Sequence, residues 1–278
     1  MKKPFFSVII PTYDRAGLLP IALDSVLRQS FKDFELIVVD DGSTDSTEKI
    51  IKNLKDERLC YIYQAHQGVS SARNKGLEAC KGEFICFLDS DDRFRQDKLT
   101  ITYDYIKKYP EYKVFHTDEI WYRNGALLPQ KIYHQKPSGF VFEEAAKLCC
   151  IGISTAATKK DVFSELGIFD ENFPACEDYD FWLRVTAQYP VMLIPEALTI
   201  KEGGRPDQQS KKYPAMDKFR IGALEKLLLN KKVDKNLKQI ALKELKNKCA
   251  VYIKGALKRG KTKEVRHYQG LIEQFDYV

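Results

Sequence analysis

The sequence of 278 residues lacks any uninterrupted apolar run close to the roughly 20 residues that a membrane-spanning helix requires. Near its start, two lysines precede a short apolar stretch, an order that is typical of secretion signals. Pro4 and Pro11 interrupt this stretch, and a strand-like pattern runs through it. We therefore expect a protein of the cytoplasm rather than one that is exported or that spans a membrane.

Cysteine pairs with the spacing of metal ligands are also missing. The seven cysteines form an odd set without a CxxC motif, and most of them lie in apolar surroundings. Such surroundings are typical of buried free thiols. The pattern argues against a disulfide framework and against a zinc site.

Negative charge is scarce in the last part of the chain. Residues 221–278 hold 14 Lys and Arg against 6 Asp and Glu, a local net charge of +8, whereas the other 220 residues carry −2. Such a region could meet an anionic membrane surface at the inner face of the membrane, or it could be a solvated helical face. It lacks the interleaved aromatic residues of a nucleic-acid-binding module, so we expect no nucleic acid partner.

Short runs rich in branched and aromatic residues alternate with helix-like segments over the first 120 residues. Leu19, Ala22, Leu23, Val26 and Leu27 recur at the spacing of a helix with one buried face. Such alternation predicts an α/β fold of Rossmann type, in which a mostly parallel sheet carries helices on both faces. The predicted strands are residues 7–11, 34–39, 59–63, 84–88 and 113–117, and further predicted helices cover 69–79 and 97–109.

The pattern changes after this alternation ends. Asn124 and Gly125, between two strand-like runs, predict a β-hairpin. Residues 191–195 form a short strand-like run, and the sequence becomes helical and rich in lysine beyond residue 210. We therefore predict a nucleotide-binding and catalytic domain over residues 1–210 and a basic helical region over residues 211–278.

Polar residues follow three of the predicted strands. PTYDR comes after the first strand, DDGSTD after the second and DSDD after the fourth. Ligands of open parallel sheets bind beyond the carboxyl ends of the strands. The three segments should therefore lie along one edge of the sheet and form one site.

The segment DSDD gathers Asp89, Asp91 and Asp92 within four residues. Carboxylates one residue apart on a loop can bind a hard divalent cation such as Mn²⁺ or Mg²⁺, which offsets their mutual repulsion. Alternatively, one or two of these side chains could cap the following helix. Capping does not readily account for the others, which favours a metal site.

Asp40 and Asp41 are open to two interpretations. They begin a sequence that is typical of a tight turn, and an acidic side chain at a strand end can also accept hydrogen bonds from a ribose or a base. Arg73 falls in the first turns of a predicted helix, where phosphate binding is favoured, although it could also be a surface residue. Its loop contains neither GxxxxGK[ST] nor GxGxxG.

A further acidic pair begins the segment EDYDFW. In helical register Asp178 shares one face with Phe181, Trp182 and Val185. A carboxylate on a core-facing helical stripe is unusual. The dipole of the helix favours its charged form, whereas burial opposes it, and a general base requires a pKa that can be adjusted in this way. The alternative is that Glu177 and Asp178 simply cap the helix.

Five segments together resemble family 2 glycosyltransferases, which have the GT-A fold and, in this bacterial form, are inverting and non-processive. The resemblance runs from Ser7 to about Arg184 and rests on segments in the order of that family. They are SVIIPTYDR, LRQSFKDFELIVVDDGSTD, GVSSARNKG, GEFICFLDSDD and CEDYDFWLRV.

The resemblance implies roles for residues at the nucleotide end of the site. Pro11, Thr12 and Tyr13 would line the base and ribose of a nucleotide-sugar. Asp40 would bind the base, with Asp41 beside it, and UDP is the nucleotide that the resemblance favours. Arg73 would lie near the nucleotide or its diphosphate.

The resemblance also implies a metal site and a catalytic base. Asp89 and Asp91 look like the DxD pair of the family, with Asp91 the direct ligand of Mn²⁺ or Mg²⁺ and Asp89 closer to the ribose. Asp178 looks like the base that takes a proton from an acceptor hydroxyl. Glu177, Asp92 and Arg205 are further candidates, and Arg205 stands where some relatives have a histidine.

Two features of the sequence narrow the expected activity. The QxxRW motif of processive synthases is missing, which implies transfer of a single sugar. The resemblance itself implies a carbohydrate or glycolipid acceptor, in surface polysaccharide or glycolipid synthesis. The alternative is a non-catalytic protein that binds a nucleotide-sugar on the same fold. Such a protein would need neither Asp91 nor Asp178, so their presence favours an enzyme.

Overall fold

The computed structural model describes residues 3–129, 135–205 and 208–275. The structure consists of strands and helices, with one 3-10 turn over Ile153–Thr155. The strands are β1 (Phe6–Thr12), β2 (Phe34–Asp40), β3 (Leu59–Tyr63), β4 (Phe84–Phe87), β5 (Arg93–Phe94), β6 (Val114–Arg123), β7 (Ala126–Leu128), β8 (Ala156–Lys159) and β9 (Met192–Gly203). The helices are α1 (Leu19–Leu27), α2 (Thr47–Lys52), α3 (Val69–Ala79), α4 (Lys98–Lys108), α5 (Phe142–Lys147), α6 (Lys160–Leu166), α7 (Glu177–Thr186), α8 (Gln209–Lys212), α9 (Asp217–Leu229), α10 (Lys235–Lys258) and α11 (Thr262–Gln274).

Within these ranges the strands form one sheet in the order β3-β2-β1-β4-β8-β6-β9-β5, with β7 paired to β6. The first four strands of the chain are parallel to one another, and β6 is parallel to β9. Short antiparallel ladders place β8 between β4 and β6. Most of the pairing is therefore parallel, which confirms the predicted α/β fold with a mostly parallel sheet.

Alternate residues of β1 supply the two faces of the sheet, as the two-residue period of a strand requires. Val8 and Ile10 belong to a hydrophobic cluster that includes the buried face of α1 and residues of α4. Ile9 points to the opposite cluster, which includes residues of α3, α6 and α7. Helices thus cover both faces, as predicted.

Helix α3 lies unusually close to β1. A methyl group added at Gly76 would come within 2.4 Å of Cγ2 of Ile9, which is far inside van der Waals contact. The buried residues Ala72 and Leu77 of α3 pack into the same cluster as Ile9. The small side chain at position 76 therefore fixes the separation between the helix and the strand.

The predicted hairpin is present in the structure, and one predicted strand differs from the structure in its length. Asn124 and Gly125 both have positive φ, of 51° and 78°, and connect β6 to β7 as predicted. The predicted strand 191–195 is wrong in extent, because β9 continues through Pro195 to residue 203. A register shift in the β6–β9 ladder, between Thr117 and Glu119, lies opposite this proline and accommodates its missing N–H donor.

Among the C-terminal helices, α9 packs against α7, α10 packs against α5, and α11 packs against α10. Their shared hydrophobic cluster includes Phe142 of α5, Leu183 of α7 and Leu245 of α10. No helix in the described part of the chain is long and apolar enough to cross a membrane. Residues 255–262 match the pattern GxxxxGK[ST], but they cover the end of α10, the short turn after it and the start of α11. They do not follow a strand, so they are not a phosphate-binding loop.

Candidate active site

The carboxyl ends of β1, β2 and β4 lie side by side in the sheet. Thr12, the last residue of β1, pairs with Asp40, the last residue of β2. On the other side of β1, the N–H of Leu88 donates to the carbonyl of Ile9 and carries the chain from β4 to Asp89. The three polar segments that the sequence singled out therefore follow neighbouring strands on one edge.

Both aspartates after β2 are held by protein donors. Asp40 is fully buried and accepts hydrogen bonds from the Ser43 N–H at 2.8 Å and from the Tyr61 hydroxyl at 3.0 Å. Burial, together with the neighbouring Asp40, raises the pKa of Tyr61. Asp41 accepts from the N–H groups of Gln67 at 2.9 Å and Gly68 at 2.8 Å. These contacts are those of a turn, and the role of the two residues in nucleotide binding stays a prediction.

A ring stack lies beside this turn. The Tyr13 ring is 4.0 Å from the His66 ring at an interplanar angle of 23°, and Tyr13 is 40% exposed. His66 Nδ1 lies 2.8 Å from the Asp41 carboxylate. No sequence pattern singles out His66, although it directly precedes the loop that begins α3. Its ring and that of Tyr13 form an aromatic surface of the kind on which a nucleobase can stack.

The carboxylates of Asp89, Asp91 and Asp92 form one cluster. One oxygen from each lies within 4.8 Å of the others. Three cations balance them: Arg73 is 2.8 Å from Asp89, Lys201 is 3.8 Å from Asp92, and Arg205 forms an ion pair with Asp91. No sequence pattern singles out Lys201, which β9 brings to the site.

Burial and mutual repulsion make negative charge costly in this cluster, despite the three cations. Burial raises the pKa of Asp91, the charge of Asp89 adds to this rise, and Arg205 opposes it. Burial raises the pKa of Asp92 to about 8, although Lys201 opposes that shift. Three converging carboxylates are the oxygen donors that Mn²⁺ and Mg²⁺ prefer, so this donor set fits a hard divalent cation. A cation bound by the Asp91 oxygen that Arg205 contacts would replace that arginine.

Arg73 connects the aspartate cluster to the start of α7. Its side chain is only 3% exposed, so its interpretation as a surface residue is wrong. It donates to Asp89 at 2.8 Å and to Glu177 at 2.5 Å. Burial disfavours the charged guanidinium, but the charges of Asp89 and Glu177 outweigh this effect and raise the pKa of Arg73. Its predicted place near a diphosphate stays a prediction.

The two acidic residues at the start of α7 point in different directions. Cys176, directly before the helix, adopts a left-handed backbone conformation with φ of 61°. Glu177 is buried against Arg73, whereas Asp178 is half-buried at the edge of the stripe that Phe181 and Trp182 continue into the core. Asp178 is therefore the member of the pair that is accessible from outside.

Two donors hold the Asp178 carboxylate. Its Oδ1 accepts from the Tyr179 N–H at 2.8 Å, and its Oδ2 lies 3.5 Å from Sγ of Cys149.

Asp89, one of the two acidic partners of Arg73, is held through its backbone, because its N–H donates to the Ser154 hydroxyl at 3.1 Å. Neither Cys149 nor Ser154 was identified from the sequence, because no local pattern distinguishes them.

Comparison with known proteins gives this geometry a family. The family model "Glycosyl transferase family 2" matches residues 7–166, which is more than half of the chain. TuaG of Bacillus subtilis, which its name assigns provisionally to teichuronic acid biosynthesis, is 31% identical over 186 residues, covering 66% of this chain and 72% of TuaG. An uncharacterized glycosyltransferase of Rickettsia felis is 31% identical over 194 residues, and the match covers 69% of this chain but 32% of that relative.

Solved structures share the fold. TarS of S. aureus in complex with UDP-GlcNAc has a TM-score of 0.73 at 23% identity, covering 87% of this chain and 71% of the TarS chain. The mannosyltransferase PcManGT of Pyrobaculum calidifontis, in complex with GDP-Man and Mn²⁺, has a TM-score of 0.66 at 19% identity, covering 98% and 84%. The GT-A fold, the ordered strand-end motifs and the family match agree, and the chain belongs to glycosyl transferase family 2.

Proposed function

We propose that this chain is an inverting, metal-dependent glycosyltransferase that moves one sugar from a nucleotide-sugar, with a UDP-sugar favoured, to an acceptor hydroxyl. The observation that carries the proposal is the connection from Asp89 through Arg73 to Glu177, the residue directly before the accessible Asp178. The family match and the UDP-GlcNAc complex of TarS support the class of donor.

In this proposal each side chain has a separate task. Asp178 removes the proton from the acceptor hydroxyl while that oxygen attacks the anomeric carbon, and the bond to the nucleoside diphosphate breaks on the opposite face. Asp91 and Asp89, with Asp92 nearby, would hold Mn²⁺ or Mg²⁺, which stabilises negative charge on the departing diphosphate. Asp40, Asp41 and the ring of Tyr13 would bind the base and ribose.

For the acceptor, only the chemical class is inferred. We infer a carbohydrate or glycolipid acceptor in the synthesis of a surface polysaccharide or glycolipid, because the name of TuaG assigns that relative to teichuronic acid biosynthesis. Since the acceptor is open, the test of the proposal must not need it. Slow hydrolysis of the donor, with water in place of the acceptor, provides such a readout.

The test combines binding and hydrolysis. Isothermal titration of UDP, GDP and dTDP, with Mn²⁺ and with chelator, should give metal-dependent binding of one nucleotide. Asp91→Asn should weaken it by at least about tenfold, which corresponds to about 1.4 kcal/mol. Asp97→Asn, an exposed aspartate before α4, is the matched control and should bind normally.

Hydrolysis of UDP-GlcNAc and GDP-Man then tests the catalytic role. Asp178→Asn should lower kcat by about 100-fold while nucleotide binding is kept, which is the lower end of the effect of a general base. Nucleotide binding that is the same with and without metal, and unchanged in Asp91→Asn, would favour the alternative that the aspartates only cap a helix. Normal binding without hydrolysis of either donor would favour the non-catalytic binding protein.

A further inference from the structure

The contact between Cys149 and Asp178 joins two parts of the chain. Cys149 lies in the loop after α5, and its Sγ is 3.5 Å from Oδ2 of Asp178. Burial raises the pKa of the Cys149 thiol well above its usual value, and the charge of Asp178 adds to this effect. The sulfur therefore keeps its proton, and the S–H group has two acceptors in range, the Asp178 carboxylate and the Ile151 carbonyl at 3.6 Å. The carboxylate is the stronger acceptor, because it carries a negative charge.

This contact and one backbone contact fix both oxygens of the carboxylate. Oδ1 accepts the Tyr179 N–H at 2.8 Å, and Oδ2 accepts the thiol. With one donor on each oxygen, rotation of the carboxylate would break at least one hydrogen bond. Such constraints hold a reacting group in a productive orientation, and errors of about 1 Å can cost two orders of magnitude in rate.

The Cys149 loop is itself fastened at the end of α5. The Tyr179 hydroxyl donates to the Ala146 carbonyl at 2.5 Å, and Nζ of Lys248 donates to the Lys147 carbonyl at 2.9 Å. Lys248 comes from α10 and also pairs with Glu244 at 3.0 Å. Two unpaired carbonyls of the α5 C-terminus are thus satisfied by side chains from α7 and α10.

We infer that Cys149 is a positioning residue for Asp178 and that the C-terminal helices hold Cys149 in place through Lys248. The inference rests on the proposed role of Asp178 as the base. It gives one lysine of the C-terminal region a task in the reaction that does not depend on the net positive charge of the region. A thiol donor is weak, so its loss should lower kcat by about three- to tenfold and leave donor binding unchanged.

Three variants of the loop provide the test, with hydrolysis of the donor that wild type accepts as the readout. Cys149→Ala should lower kcat by about three- to tenfold, with the KM for the donor and the affinity for its nucleoside diphosphate within twofold of wild type. Cys149→Ser should recover most of the lost kcat, because a hydroxyl can donate to the same carboxylate. Cys150→Ala, the matched control on the same loop, should behave like wild type.

A second pair of variants tests the support from α10. Lys248→Met should lower kcat in the same way as Cys149→Ala, and the combination of both should lower it little further, since both act through one carboxylate. Lys243→Met, an exposed lysine of the same helix, is the control. Thermal unfolding of every variant shows whether a lost rate reflects lost folding.

Separate outcomes distinguish the two proposals. If wild type hydrolyses no donor, or if Asp178→Asn hydrolyses it normally, the proposed function is wrong. If wild type is active and Asp178→Asn is not, but folded Cys149→Ala matches wild type, the positioning role is wrong. An equal loss in Cys149→Ala and Cys149→Ser would also overturn it, because that result indicates packing rather than hydrogen bonding.

Discussion

Arg73 and Glu177 are 104 residues apart in the chain and 2.5 Å apart in the fold. The same guanidinium reaches Asp89, so one buried cation joins α3, the loop after β4 and the start of α7. Removing one member of a buried pair leaves an uncompensated charge, which is far more costly than replacing both members by apolar side chains. This asymmetry can be measured.

Arg73→Met should lower the free energy of unfolding by about 3–5 kcal/mol, because Glu177 and Asp89 lose their partner. Adding Glu177→Met should restore part of that loss, so that the double variant is more stable than the sum of the single variants predicts. Urea unfolding gives these values. Arg28→Met, which breaks the exposed pair with Asp24, is the control and should cost less than about 1 kcal/mol. Additive effects of the buried pair would contradict the prediction.

Arg205 forms an ion pair with Asp91, the proposed direct metal ligand, so a metal ion bound there would compete with this arginine. Arg205→Ala should therefore strengthen Mn²⁺ binding in the absence of nucleotide by about fivefold, on the order of 1 kcal/mol for the loss of one nearby positive charge. Water-proton relaxation during a Mn²⁺ titration measures this affinity. Arg95→Ala, which removes an exposed arginine bonded to a backbone carbonyl, should leave it unchanged. Weaker Mn²⁺ binding in Arg205→Ala would mean that the arginine helps to assemble the metal site.

Lys98 should make stability depend on pH. It is 1% exposed, its Nζ contacts the Thr155 carbonyl at 3.0 Å and the Thr199 hydroxyl at 3.2 Å, and burial lowers its pKa from 10.5 to about 7. Between these two values the unfolded chain binds more protons than the folded chain. The contribution of this group to stability therefore rises as the pH increases through that window.

Urea unfolding at pH 7 and pH 9 tests this dependence. Lys98→Met should remove a gain in unfolding free energy of about 2 kcal/mol between these two pH values, at about 1.4 kcal/mol per pH unit. Lys55→Met, an exposed lysine, should keep the gain that wild type shows. An equal pH dependence in wild type and Lys98→Met would show that the folded chain protonates this amine normally.

The parts of the fold that depend on local patterns were predictable from the sequence. Helix α3 has the predicted bounds of residues 69–79, and the hairpin follows from the preference of Asn124 and Gly125 for positive φ. The shared edge of the strand ends also follows from the sequence, because consecutive βα units place the carboxyl ends of parallel strands together. These predictions need only the periods of strands and helices.

The contacts that complete the site depend on long-range packing and were not predictable. Arg205 reaches Asp91 across 114 residues, because β9 continues past Pro195, where the sequence pattern favoured an end. Glu177 turns inward to Arg73 while its neighbour Asp178 does not, a choice that the start of α7 determines. A cysteine such as Cys149 has no sequence signal of its role, since its importance comes only from the carboxylate opposite it.

Gly76, where α3 approaches β1 closely, influences the electrostatics of the site although it carries no charge. Arg73 lies one turn before Gly76, and the missing methyl group at Gly76 lets the helix approach to a depth at which one guanidinium meets two carboxylates. A side chain at this position would act as a wedge that lifts the helix from the sheet. The absence of a larger side chain at Gly76 therefore helps to determine the distances between the Arg73 guanidinium and the two carboxylates.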